Sequence, residues 1–98
     1  MNLNPQQIRE LKKLAHHLKP VIILGQHGLG ENQLNEINIA LDVHELIKIK
    51  LAGADKAERD KISHEIVKQL NPSLVQIIGR VAVFYRANPE KKKNRIIV

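Results

Sequence analysis

The chain of 98 residues contains no cysteine, no tryptophan, one phenylalanine and one tyrosine. Without thiols there are no disulfides and no thiolate metal sites, and a cytoplasmic protein is the default expectation. No apolar run approaches the roughly 20 residues that a membrane-spanning helix needs. The opening segment Met1-Asn2-Leu3-Asn4-Pro5 has no charged head before an apolar stretch, so no secretory leader is expected. The two rings, Phe84 and Tyr85, are adjacent. Neighbours on a strand point to opposite faces, so at most one of them meets solvent. A sheet that stacks successive unpaired bases needs more rings than that.

Positive charge is what the chain has in excess. Lys and Arg total 16 against 10 Asp and Glu, a formal charge of +6. The excess sits at the two ends. Residues 1–20 carry four positive charges and one negative, and residues 71–98 carry six and one. Residues 31–50 carry four negative charges and two positive. An uneven basic surface suits a polyanion. Nucleic acid fits better than a membrane, because the basic stretches lack the apolar wedge of an interfacial helix.

Apolar spacing predicts one α/β domain over residues 1–98. Asn4-Pro5 is a helix start, and Ile8, Leu11, Leu14, Ala15 and Leu18 recur at helical spacing until Pro20 ends the run. Val21–Leu24 reads as a buried strand. A second helix spans about Glu31–His44 with Leu34, Ile37 and Leu41 inward. In Leu46–Leu51 alternation places Ile47, Ile49 and Leu51 on one side and Leu46, Lys48 and Lys50 on the other. After an Ala52-Gly53-Ala54 turn, Asp55 and Glu58 resemble a capping box for a third helix reaching Leu70. Leu74–Ile78 and Val81–Tyr85 are strands joined by Gly79-Arg80, which suits a type II′ hairpin. The order α-β-α-β-α-β-β predicts a mixed four-stranded sheet. Residues 88–98 form a basic tail, read as flexible, whose Ile96-Ile97-Val98 end either adds a short strand or frays.

Gly25-Gln26-His27-Gly28 follows a strand and precedes a helix. Such a loop opens its backbone N–H groups to an anion, with the helix N-terminus behind it; a plain βα turn is the bland alternative. Nucleotide readings fail: Gly30 is followed by Glu31-Asn32 rather than Lys-Ser/Thr, and the glycine spacing does not match the dinucleotide fingerprint.

Several ordered segments resemble one family. They are Leu14-Ala15-His16-His17-Leu18-Lys19-Pro20-Val21, Ile23-Leu24-Gly25-Gln26-His27-Gly28-Leu29, His44-Glu45-Leu46-Ile47-Lys48-Ile49-Lys50, Gln76-Ile77-Ile78-Gly79-Arg80 and Tyr85-Arg86. Together they resemble the CRM (chloroplast RNA splicing and ribosome maturation) domain, in its stand-alone bacterial YhbY-like form. The resemblance runs over about residues 3–88. It implies a fold similar to the C-terminal domain of translation initiation factor three. It also implies RNA binding through the Gly-x-x-Gly loop and adjoining basic surface, and association with precursors of the large ribosomal subunit. The family often has Thr where this chain has Gly30, a departure expected to loosen the loop.

The candidate RNA-binding residues are therefore Gly25, Gln26, His27 and Gly28 in the loop, and Lys12, Lys13, His16, His17 and Lys19 on or beside the first helix. Lys48 and Lys50 either line a ligand-facing sheet surface or pair with neighbouring carboxylates. Arg80 and Arg86, at the two ends of the last strand, are further phosphate candidates. No His-Glu-x-x-His or Gly-x-Ser-x-Gly motif is present, and an enzyme, a metal site, a cofactor or a small-molecule substrate is not expected. The expected partner is structured rRNA in pre-large-subunit particles. Duplex DNA, or an acidic protein docking on the basic face, are the alternatives.

Overall fold

The structure, a computed structural model, describes residues 3–25, 28–53 and 55–98. Its elements are α1 (Pro5–His16), β1 (Ile22–Leu24), α2 (Glu31–His44), β2 (Leu46–Leu51), α3 (Lys56–Leu70), β3 (Ser73–Ile78) and β4 (Val81–Tyr85). This is the expected order. The sheet order is β1-β2-β4-β3. β1 runs parallel to β2, while β4 is antiparallel to both β2 and β3. Three strands therefore point one way, and β4 returns between two of them.

Local signals set the helix starts. The Asn4 side chain accepts from the Gln7 N–H at 2.8 Å, and Gln7 Oε1 accepts from the Asn4 N–H at 2.9 Å. Asp55 accepts from the Glu58 N–H at 2.8 Å and caps α3. At α2 the capping residue is Gly30, which offers no side chain; its own N–H donates to Gln33 Oε1 at 3.1 Å. Of the hairpin pair, only Gly79 has positive φ, at 57°, as a type II′ turn requires. Ala52 and Gly53 form the expected turn; Ala54 lies outside the described residues.

Each face of the sheet feeds its own core. On one face Ile22, Leu24, Ile47, Ile49, Leu51, Ala82 and Phe84 pack with Ile37 and Leu41 of α2 and Ile66 of α3. On the other, Leu46, Val75, Val83 and Tyr85 pack with Leu11 and Ala15 of α1. Phe84 and Tyr85 thus enter opposite cores, and neither ring meets solvent.

The first strand is not the buried one expected: it is Ile22–Leu24 at the sheet edge, where alternation buries Ile22 and Leu24 and leaves Ile23 67% exposed. Two further expectations change. Helix α1 stops at His16, four residues short of Pro20: proline lacks the N–H that would bond the His16 carbonyl and pushes Lys19 out of helical geometry, and the end closes instead with the Leu18 N–H donating to the Ala15 carbonyl at 2.9 Å. A lone helix on its face buries only the Leu11–Ala15 line, leaving Leu14 and Leu18 46% and 39% exposed. The second change concerns the tail. Among the described residues it adds no strand, yet it is packed: Ala87, Ile96 and Val98 lie against the α1-side core.

Glu45 ties that tail down. It caps α2 with φ of 63°, a conformation that non-glycine residues adopt at a cost of roughly 1–3 kcal/mol. Its carboxylate is fully buried, and each oxygen accepts one tail N–H: Oε2 from Asn88 at 2.8 Å and Oε1 from Ile96 at 2.9 Å. Lys91 Nζ lies 4.0 Å from Oε1. The Glu45 carbonyl also accepts from the Arg86 N–H at 2.8 Å. Replacing Glu45 with Gln puts amide hydrogens where an N–H donor already points. The expected loss is about 2 kcal/mol, the range for hydrogen bonds to charged groups. Urea midpoints measure it, and an unchanged midpoint would show that the tail is not held through this carboxylate.

Burial raises the pKa of Tyr85 above 10.0, the nearby Glu45 carboxylate adds to the rise, and Arg95 offsets part of it. The folded pKa exceeds the unfolded one, so this contribution to stability is whole below about pH 10 and is lost as pH rises through the folded pKa. As Tyr85 is the only tyrosine, its phenolate absorbance reports it cleanly. The expected midpoint lies above 10 in the native protein and falls back in denaturant. A native midpoint at the ordinary tyrosine value would contradict a dry ring.

Candidate nucleic-acid interface

Because β1, β2 and β3 run the same way, their C-terminal ends share one rim with the start of β4. That rim gathers Gly25 after β1, Ala52-Gly53 after β2 and the Gly79-Arg80 turn. The Leu51 N–H donates to the Arg80 carbonyl at 2.7 Å and joins two of these turns directly. Two predicted site regions, the glycine loop and Arg80, are thus brought to one edge by topology.

Of the loop, Gly25 and Gly28 are described; the predicted tip residues Gln26 and His27 lie outside the described residues. The Gly28 N–H donates to the Gly25 carbonyl at 3.1 Å, which closes a turn. A Cβ at either glycine would meet nothing within 4 Å among the described residues, chain neighbours aside. Gly28 has φ of 70° and needs glycine for conformation, whereas Gly25 does not. Behind the loop, the side-chain cap missing at Gly30 leaves the first N–H groups of α2 without that acceptor. One flank of the loop is a shallow pocket shared by Gly28, Leu29, Glu58, Lys61, Ile62 and Glu65. Glu58 and Glu65 outnumber Lys61 there, so this flank is net negative.

The α1 side is where the cations stand. Lys48 and Lys50 alternate with Ile47 and Ile49, so they share the face that carries α1. Lys50 is exposed and Lys48 half-buried. Lys50 pairs in register with Ile23 of β1 and Val81 of β4, near the glycine rim. Among the described residues, Lys12, Lys19, Lys48, Lys50 and Arg80 form no ion pair. Lys13 has only an exposed partner, Glu10, at 3.8 Å, and such pairs contribute little. His16 and His17 are exposed at the end of α1, with rings 5.3 Å apart edge to face. Helix α2, by contrast, carries Glu31, Glu36 and Asp42 and no Lys or Arg. Helix α3 on that same face is near balance, with Lys56, Arg59, Lys61 and Lys68 against Glu58, Asp60 and Glu65, so the two helices together are net negative while α1 is net positive.

Arg86 stands apart from the other candidates. Its guanidinium donates to the Leu70 carbonyl at 2.9 Å, the Asn38 carbonyl at 3.2 Å and the Asp42 carboxylate at 2.8 Å. These bonds tie β4 to α2 and α3, so Arg86 is committed to the frame on the opposite side. The residue that sequence reasoning missed is Glu45. An acidic side chain between a helix and a strand gives no sign that it will be buried, because its partners are backbone groups more than 40 positions away. Among the described residues there is no group of acidic or histidine side chains able to hold a metal, and no helix long and apolar enough to cross a membrane.

Comparison with known proteins bears on this arrangement. The sequence pattern of the CRS1/YhbY (CRM) domain matches residues 3–86. A Pseudomonas aeruginosa protein named for RNA binding is 45% identical over 94 residues, spanning 96% of this chain and 90% of its own. An RNA-binding protein of Haemophilus influenzae is 48% identical over 90 residues, spanning 92% and 91%. The solution structure of a Staphylococcus aureus protein, described as a candidate RNA-binding protein, matches with a TM-score of 0.79 at 31% identity. That match covers 96% of this chain and 95% of the other. The chain is therefore a member of the CRS1/YhbY (CRM) domain family.

Proposed function

We propose that this protein binds folded RNA without catalysing a reaction, and that it serves as an assembly factor on rRNA of the large ribosomal subunit precursor. The observation that carries RNA binding is the one-sided charge. Lys12, Lys19, Lys48 and Lys50, without ion pairs among the described residues, stand on the α1 side, and the carboxylates of α2 stand on the other. The open space beside Gly25 and Gly28 lets a phosphate approach the edge of that surface, toward the first N–H groups of α2 that no side chain caps. The RNA-binding names of the relatives favour RNA over duplex DNA. The ribosomal role follows from the family resemblance.

With both aromatic rings buried, recognition rests on backbone and helical shape. Folded rRNA fragments are expected to bind more tightly than unstructured homopolymers of equal length at matched salt. Equal affinities would count against shape recognition, and equal affinity for duplex DNA would favour the DNA alternative.

Replacing Lys12 and Lys13 with Ala is expected to weaken binding to all RNA sequences. Each phosphate that is no longer neutralised flattens the log–log salt dependence by roughly 0.7–0.9. Gly25→Asp is the cleaner loop probe, because its Cβ enters open space and its φ is not positive. It should keep the fold while introducing repulsion at the loop. Affinity across a salt series, with circular dichroism as the folding control, decides. Folded variants with wild-type affinity and slope would place the RNA site elsewhere.

A further inference from the structure

We infer that the C-terminal tail is a fixed basic arm of the RNA surface, and that the buried Glu45 is the positioning residue that holds it there. This rests on the RNA-binding reading above and extends it to residues 88–98, beyond the stretch matched by the family pattern.

A basic tail is ordinarily mobile, and ordering it costs conformational entropy. Here the backbone has defined partners along its length. Glu45 accepts from the N–H groups of Asn88 and Ile96, and the Asn88 side chain donates to the Asp42 carbonyl at 3.0 Å. Lys91 Nζ donates to the Asn94 carbonyl at 3.1 Å and closes the loop between the two anchor points. At the end of the chain, Gln7 of α1 donates to the Val98 carbonyl at 3.3 Å, while Ile96 and Val98 pack into the α1-side core. The tail is therefore docked beside α1.

The docking sets two basic elements face to face. Leu14, Leu18 and Lys19 form one wall of an open groove, and Lys91, Asn94 and Ile96 form the other. Lys91 is engaged inward with Glu45 and Asn94. Lys92, Lys93 and Arg95 remain exposed and form no ion pair among the described residues. Lys92 and Lys93 lie between the groove-lining Lys91 and Asn94, and Arg95 borders the neighbouring hollow with Tyr85 and Val98, so a folded RNA that runs along α1 and over the docked tail meets these cations beside the groove. Each phosphate they neutralise releases counterions, and a docked arm engages it without ordering itself on binding.

The experiment uses the full chain and a fluorescently labelled folded RNA hairpin, with affinity measured across a salt series. The triple variant Lys92→Ala, Lys93→Ala, Arg95→Ala changes only exposed side chains and should leave the fold intact. Its log–log slope is expected to be shallower by roughly 0.7–0.9 for each phosphate that the arm had neutralised. Glu45→Gln should flatten the slope in the wild-type background and add nothing in the triple-variant background, because it acts through the tail. The Ile96 amide is expected to exchange slowly with solvent in the wild type and fast in Glu45→Gln. A triple variant with unchanged slope overturns the arm. Equal reductions from Glu45→Gln in both backgrounds overturn the positioning role, since general destabilisation would not distinguish them. Lys12→Ala with Lys13→Ala serves as the reference: if it too leaves binding unchanged, the RNA surface itself is misplaced, and the arm falls with it.

Discussion

Strand β4 enters the sheet between β2 and β3, and most of the architecture depends on that pairing. Its hydrogen bonds hold two parallel strands apart and leave their C-terminal ends, with that of β1, on a common rim. The pairing also places β2 and β4 at the centre, where both faces must be covered. Phe84 and Tyr85 consequently go to different cores, each sealed by a different helix layer. The rim carries both Gly25 and Arg80, and the α1 face is where Lys48 and Lys50 project. The same geometry that dries the rings leaves Lys50 exposed on the α1 face.

Coverage of the two faces is unequal, and the carboxylates of α2 outweigh the small positive excess of α3 on the doubly covered one. Helices α2 and α3 lie over one face, and α2 carries carboxylates without Lys or Arg. Helix α1 alone lies over the other, leaving Leu14 and Leu18 partly open. The tail lies alongside α1. Burying Glu45 to hold it requires removing a carboxylate from water, which is unfavourable unless its oxygens are satisfied. The two tail N–H groups and nearby Lys91 satisfy them. Two elements with ordinary local sequences, a helix end and a lysine-rich tail, become one structural unit through these bonds.

The elements and their order were legible from residue order alone. Helix starts at Asn4 and Asp55, the Gly79 turn and the alternation of Leu46–Leu51 are local signals, because capping, positive φ and strand alternation act within a few residues. The charge asymmetry and the scarcity of aromatic rings were equally legible, since they need no coordinates. The facing of Lys48 and Lys50 away from Ile47 and Ile49 came from the same two-residue period. Folding in three dimensions was needed wherever the partners lie far apart in the chain. The sheet order, the shared rim of glycine loop and hairpin, the commitment of Arg86 to Asn38, Asp42 and Leu70, and the anchoring of the tail by Glu45 all belong here. An arginine or glutamate has the same local signature whether it meets solvent or a distant carbonyl or N–H. Long-range backbone donors and acceptors, placed by strand pairing, choose between those fates.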